Sequence, residues 1–400
     1  MNELRSVVGA PVRGTDLWNR KNEIEKIWNA LERDHILLVA PRRFGKTSLM
    51  LRLKDEPREN YRVFYLDTEW IKGASDFISE IAAELLNDKG ICQVFKQIGG
   101  FFNTILGQVK EIQIAEVKLA LRDKLAKDWQ EKGREFIFHL KDVEGNVVVI
   151  VDEFPLMIER ILRIDKREAE DFLLWFRGIR QMPELTHVRF VIGGSIGIEH
   201  VLKKADAGTK AINDLHRLQV GPFRKDEARE FLVTLLKNEA GLKRIPLRIT
   251  DKFLEFLQIP IPYFIQILVS ESIKEAKNQG SPLSEGIIEK AYYERVLASY
   301  NRTYFEHYYT RLGDYYLLQE EKFAKAFLLE IAKRGEVPRG DLWNIYQNTL
   351  EGKGNEENFG YLLSGLENDF YIEFESQRKT YHFATKVLRD WWLRHHAILR

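Results

Sequence analysis

Cysteine is almost missing from this chain: of 400 residues, only Cys92 carries a thiol. That excludes an intramolecular disulfide and a multi-cysteine zinc site. Charge of one sign is missing too. Lys and Arg number 61 against 60 Asp and Glu, a formal net charge of +1. No global field therefore draws the chain to nucleic acid or membrane, although a local basic patch stays compatible with the balance. Long hydrophobic runs are absent. The most apolar stretch, residues 256–270, is too short to span a bilayer and contains Pro260 and Pro262. The opening MNELRSVVGAP lacks the apolar core of a signal peptide. Cytoplasmic residence without membrane attachment is the expectation. There is no internal repeat and no low-complexity tract. At 44% hydrophobic residues, the 400-residue length supplies cores for two or three domains.

What is present starts with LLVAPRRFGKTSLM at residues 37–50. It reads as an apolar strand, a tight loop ending Gly45-Lys46-Thr47-Ser48, and an apolar helix start. Such a loop wraps a phosphate chain, because backbone N–H groups and the positive helix end face the anion. Ala40 stands where the first glycine of G-x-x-x-x-G-K-[ST] belongs, followed by Pro41. Gly45 is the critical glycine, because the backbone must approach the phosphates there. A surface turn that happens to contain Gly-Lys-Thr is the bland alternative. Against it stands VVVIVDEF at residues 147–154, a β-branched strand ending in Asp152 and Glu153.

Five buried strands are predicted, at 36–40, 63–67, 147–151, 188–193 and 218–221, the first four followed by helical patterns. Strands alternating with helices indicate a parallel sheet covered on both faces. The long interval between the second and third strands holds helical patterns at 75–87 and 112–125, broken at Gly99-Gly100. The expected fold is therefore an α/β P-loop NTPase core over 1–221, with a helical insertion around 75–140. A helical lid follows over 222–320, with helices at 225–237, 263–277 and 284–298 and Thr250 as an N-cap. The tyrosines at 300, 304, 308 and 309 lie at helical spacing, as a packed stripe or as base-stacking rings. Residues 321–400 read as a winged helix. Its helices fall at 323–332, 337–346 and 356–366, and its hairpin at 371–374 and 380–383.

Roles follow from charge. Lys46 offsets the β- and γ-phosphates of ATP. Thr47 binds Mg2+ and Asp152 holds it. Glu153 polarises the attacking water, or else is a carboxylate favoured by a helix N-terminus. Ser195, after Gly193-Gly194 on the fourth strand, touches the γ-phosphate or the water, or else caps the next helix. A cation must also meet the charge that develops on the γ-phosphate. Arg42, Arg43, Arg177, Arg180 and Arg217 are candidates. Arg177 and Arg180 share one helix side and would serve a neighbouring subunit; a solvated face is the alternative for each.

These residues resemble those of AAA+-related ATPases of the STAND branch, in particular archaeal-type and bacterial ATPases with PRR-x-GKTS loops. The resemblance rests on Pro11-Val12-Arg13-Gly14, Asn19-Arg20, Pro41 to Ser48 (with Arg42, Arg43 and Phe44), Asp152-Glu153-Phe154-Pro155, Gly194-Ser195-Ile196-Gly197 and Asn213-Asp214-Leu215. It covers essentially the whole chain. It implies adenine nucleotide specificity, with the segment from Arg13 to Arg20 near the base. Such proteins usually carry a nucleotide-sensing arginine in the lid, which has no equivalent here. The branch's Gly-x-Pro element corresponds to Pro260-Ile261-Pro262, with Pro262 packing on the nucleotide.

Three functions compete. The first is an ATP-driven switch whose nucleotide state is read by a protein partner or by self-association. The second is a nucleotide-gated DNA-binding ATPase of the replication-initiator or transposition-helper type. The third is a small-molecule kinase, which the adjacent Asp152-Glu153 disfavour because paired acids suit hydrolysis. The solvent face predicted for 356–369 offers Glu356, Glu357, Tyr361, Ser364, Glu367 and Asn368, with no basic residue. That face would repel a phosphate backbone. Only Arg378, Lys379, Arg389, Arg394 and the terminal histidines lean basic, so a protein contact is favoured over DNA.

Overall fold

The computed structural model describes residues 4, 6–14, 17–98, 125, 127–194, 198–316 and 318–397. The chain divides into two compact units. One comprises Arg20–Ala40 and Lys46–Val220; the other comprises Met1–Asn19, Pro41–Gly45 and Gly221–Arg400.

The first unit is built on five parallel strands. They are β1 (His35–Val39), β2 (Tyr61–Asp67), β3 (Asn146–Asp152), β4 (Val188–Gly194) and β5 (Leu215–Gln219), in the order β2-β3-β4-β1-β5. β3 and β4 are inner strands, and Val147 to Val151 are fully buried. A β-branched run without alternation is what a strand covered on both faces requires. Helices Lys46–Asp55, Ala74–Leu86, Phe154–Ile164 and Lys166–Arg180 cover the sheet. Phe77, Phe154, Phe172, Phe176 and Phe190 form one aromatic cluster beneath them, with ring centroids 5.1 Å apart for both Phe77–Phe172 and Phe176–Phe190. In an open parallel sheet, ligands bind beyond the carboxyl ends of the strands where the order reverses. Here that is the end of β1, which feeds the Gly45 loop, beside β4 and then β3, which ends at Asp152.

Four predicted strands lie within two residues of the observed ones. The fifth differs: it is Leu215–Gln219, starting three residues earlier than 218. It is an edge strand paired only with β1, and its half-exposed sequence LHRLQ carries no apolar run to mark it. The predicted 75–87 helix is Ala74–Leu86. The break at Gly99-Gly100, and the predicted 112–125 helix apart from Leu125, fall outside the described residues.

The second unit is mostly helical, with Lys225–Ala240, Leu247–Leu257, Pro262–Gln279, Glu285–Ala291, Glu306–Tyr315, Leu318–Arg334, Arg339–Thr349, Glu356–Asn368 and Lys386–His396 among its helices. A three-stranded antiparallel sheet, β6 (Glu336–Pro338), β7 (Ile372–Glu375) and β8 (Thr380–Phe383), has the order β6-β8-β7. Three details depart from the predicted pattern. Thr250 is not an N-cap. Its helix starts at Leu247 behind Pro246, and the Thr250 hydroxyl donates back to the Leu247 carbonyl. Val337 and Pro338 form an edge strand rather than a helix start; Pro is tolerated at an edge because it need not donate there. The tyrosine stripe is broken at Phe305 between a 3-10 turn and a helix, leaving Tyr308 buried and Tyr300 exposed.

Candidate nucleotide site

In the sheet unit, the helix that begins at Lys46 and the end of β3 bring their polar side chains together. Lys46 Nζ lies 2.5 Å from Asp152 Oδ1 and 3.8 Å from Glu153 Oε1. The Thr47 hydroxyl donates to Asp152 Oδ2 at 2.8 Å, and the Tyr65 hydroxyl donates to the same oxygen at 3.1 Å. The Glu153 N–H donates to Asp152 Oδ1 at 2.9 Å. Lys46 and Asp152 are both buried. Burial pushes the Asp152 carboxyl up, but the Lys46 ammonium and the donors Lys46, Thr47 and Glu153 N–H outweigh it and hold the group below its ordinary value. Asp152 is thus an anion prepared for a cation. Burial, then the charges of Asp152 and Asp67, push the Tyr65 phenol up, so it stays a donor.

The main chain of Asp152 is fixed as well. Thr68 donates to its carbonyl through both Oγ1, at 2.6 Å, and N–H, at 3.2 Å. Glu153 then adopts a left-handed conformation, φ 55°, between β3 and the Phe154–Ile164 helix. A non-glycine residue there costs roughly 1–2 kcal/mol, and such strain collects at functional positions. The Glu153 side chain makes no capping hydrogen bond to that helix. Its carboxylate is half-buried and turned towards Lys46.

Two glycines missed as site residues in the sequence stand in close quarters. A Cβ on Gly193 would displace the flexible end of Met50 and lie 3.0 Å from Asp152 Oδ1; one on Gly194 would collide with the rigid Pro155 ring. Two successive glycines inside a strand pattern are the signal that marks such close approach. Gly45 is different. Nothing crowds its Cβ position, and its φ of 91° is what only glycine adopts readily.

Pro41 to Gly45 belong to the other unit, and their contacts there are aromatic. Phe44 is buried edge-on against Phe370, with centroids 5.0 Å apart. The Arg43 guanidinium lies 4.4 Å from the centre of the Tyr263 ring and donates to the Gly9 carbonyl at 2.8 Å. Tyr308 donates to the Arg42 carbonyl at 3.4 Å. Arg43 is itself left-handed, φ 73°. Pro41 is buried and Arg42 exposed.

The remaining predicted residues scatter. Ser48 is buried in the first turn of the Lys46–Asp55 helix. Ser195 lies outside the described residues. Arg13 is exposed in the second unit, whereas Arg20 is buried in the first and pairs with Glu23 at 2.7 Å. Pro262 opens the Pro262–Gln279 helix, a position its fixed φ suits. Arg180 does not present its charge to a neighbour. It is buried, donates to both Asp214 oxygens at 2.8 and 2.9 Å, and donates to the Ala211 carbonyl at 2.7 Å. Arg217 is exposed and pairs with Glu199 at 2.9 Å.

No family model matches the chain, and no curated protein matches it in sequence. Solved structures do match. A Walker-type ATPase of Pyrococcus abyssi superposes with a TM-score of 0.64 over 97% of this chain and 98% of that one, at 20% identity. The ORC2 protein of Aeropyrum pernix, in its ADPNP–ADP complexes, gives 0.55 over 93% and 91%, at 13% identity. The fold is that of an AAA+-like P-loop NTPase. Within this fold, Lys46, Thr47 and Asp152 stand on the loop-to-helix junction and the adjacent strand end described above. No helix among the described residues is long and apolar enough to cross a membrane.

Proposed function

We propose that this protein binds MgATP and hydrolyses it, and that its nucleotide state is read by a protein partner or a second copy. The observation that carries this reading is the convergence of Lys46, Thr47 and the Glu153 N–H on a buried, ionised Asp152, with the Glu153 carboxylate 3.8 Å from Lys46. Two adjacent carboxylates at the end of a buried strand are costly unless they serve a cation. The Thr47 hydroxyl and Asp152 Oδ2, 2.8 Å apart, are hard oxygen donors of the kind Mg2+ takes. They would hold the ion, which supplies charge neutralisation along the phosphates. Lys46 leaves Asp152 for the β- and γ-phosphates. Pro41, Arg42, Arg43, Phe44 and Gly45 offer their backbone around the phosphates. Glu153 orients and polarises the attacking water; its carboxylate lies 3.8 Å from Lys46 Nζ and does not cap the following helix. The adenine specificity, the STAND affiliation, the roles of Arg13, Arg20, Ser195 and Pro262, and the winged-helix reading of 321–400 belong to the same proposal.

A protein contact is preferred to DNA for the C-terminal module. Glu356, Glu357, Ser364 and Asn368 of the Glu356–Asn368 helix are exposed, and no basic residue stands among them. Each phosphate contact needs a cation.

The test is Glu153→Gln. It should retain ATP while turnover falls by roughly 10²–10⁴, the range for loss of a general base. Wild-type turnover in this variant removes Glu153 from the mechanism.

A further inference from the structure

The Asp152 carboxylate is saturated with donors. Oδ1 takes Lys46 Nζ and the Glu153 N–H; Oδ2 takes the Thr47 and Tyr65 hydroxyls. A carboxylate offers roughly four lone-pair sites, so none is spare. Two of these donors have other work once nucleotide is present, because Lys46 turns to phosphate and Thr47 turns its oxygen to the metal. The Glu153 N–H stays with the backbone on the Oδ1 side. On the Oδ2 side, among the described residues, only the Tyr65 phenol remains.

We propose that Tyr65 is a positioning residue: its hydroxyl keeps Asp152 Oδ2 aimed at the Mg2+ position while Lys46 and Thr47 exchange the carboxylate for phosphate and metal. This rests on the MgATP reading above. The strand frame makes it possible. β2 and β3 run in continuous parallel register, pairing Tyr65 with Ile150 and Asp67 with Asp152. Phe64 and Leu66 are buried on the opposite face from Tyr65. Three residues on, Thr68 holds the Asp152 carbonyl through Oγ1 and N–H. One strand thus fixes both the main chain and the side chain of the carboxylate. Partners behind a metal ligand are worth 10–100-fold in metal affinity or activity when removed.

The experiment compares ADP affinity by calorimetry in Mg2+ and in EDTA, for the intact chain and for Tyr65→Phe and Tyr65→Leu. The two variants remove the donor with different packing consequences, so a packing defect in one does not decide the result. The affinity gained on adding Mg2+ should fall about ten-fold or more in both, while the affinity in EDTA stays at the wild-type value. A merely structural role would lower affinity in EDTA as much and leave the Mg2+ gain unchanged. That result, or a wild-type gain in both variants, overturns the assignment of Tyr65 and leaves the MgATP reading standing. No ADP binding by the wild type in Mg2+ overturns the MgATP reading itself, and this inference with it.

Discussion

The two halves of the segment 41–47 are held by different physics. Lys46 and Thr47 belong to the sheet unit and are fixed by buried charge, through Asp152. Pro41 to Gly45 belong to the other unit and are fixed by rings, through Tyr263, Tyr308 and Phe370. The charged half carries the groups proposed to act on phosphate, already neutralised by one another. The aromatic half carries the backbone proposed to wrap phosphate, and it is contacted by residues more than 200 positions away. The segment's charged groups and its backbone shape thus answer to separate cores. A mutation can therefore damage one without the other.

Phe44→Ala should break the aromatic half most. Truncating a buried Phe costs about 3–5 kcal/mol, and the half-buried Phe370 partner puts this case near 3. Urea unfolding of the intact chain should show the loss, whereas Phe44→Leu should cost less. An unchanged midpoint would mean that the Phe44–Phe370 contact holds nothing, and the comparison would fail.

A smaller effect separates the units by pH. Each contains a half-buried histidine held neutral. Burial, helped by Arg180 and Arg189, lowers His35 to about 4. Burial, helped by Arg42, Arg43 and Arg311, lowers His307 to about 2. His35 is bonded on both ring nitrogens, to the Arg180 carbonyl and the Phe190 N–H. Neither His307 nitrogen has a hydrogen-bond partner among the described residues. Both folded values lie below the unfolded value near 6.5. The stability each confers is therefore present above about pH 6.5 and lost as pH falls towards the folded value. The window is wider for His307, so acid should weaken the unit holding the aromatic half over a longer range. His307→Leu should flatten the decline in stability between about pH 6 and 4. Equal slopes in wild type and variant would remove His307 from the account.

Much of this was legible in the sequence, and the reasons are local. β3 announces itself because five consecutive β-branched residues fit only a strand buried on both faces. Lys46, Thr47 and Asp152 are legible because loop, helix and strand end stand in fixed order along the chain. Tyr65 was not, since its hydroxyl reaches Asp152 across 87 residues and only the strand pairing brings them together. Arg180 misled for the same reason: helical spacing put it beside the apolar stripe, and Asp214, 34 residues on, takes its charge. The aromatic half was invisible, because nothing near Phe44 in sequence announces Phe370 or Tyr263.

The most direct test of the central claim is calorimetric titration of MgATP into the intact chain and into Lys46→Ala. One ATP per chain is expected for the wild type and loss of that binding in the variant, which removes the cation proposed to meet the phosphates and leaves Asp152 buried without its ammonium. Equal MgATP affinity in the two proteins, or no binding by the wild type, would contradict it.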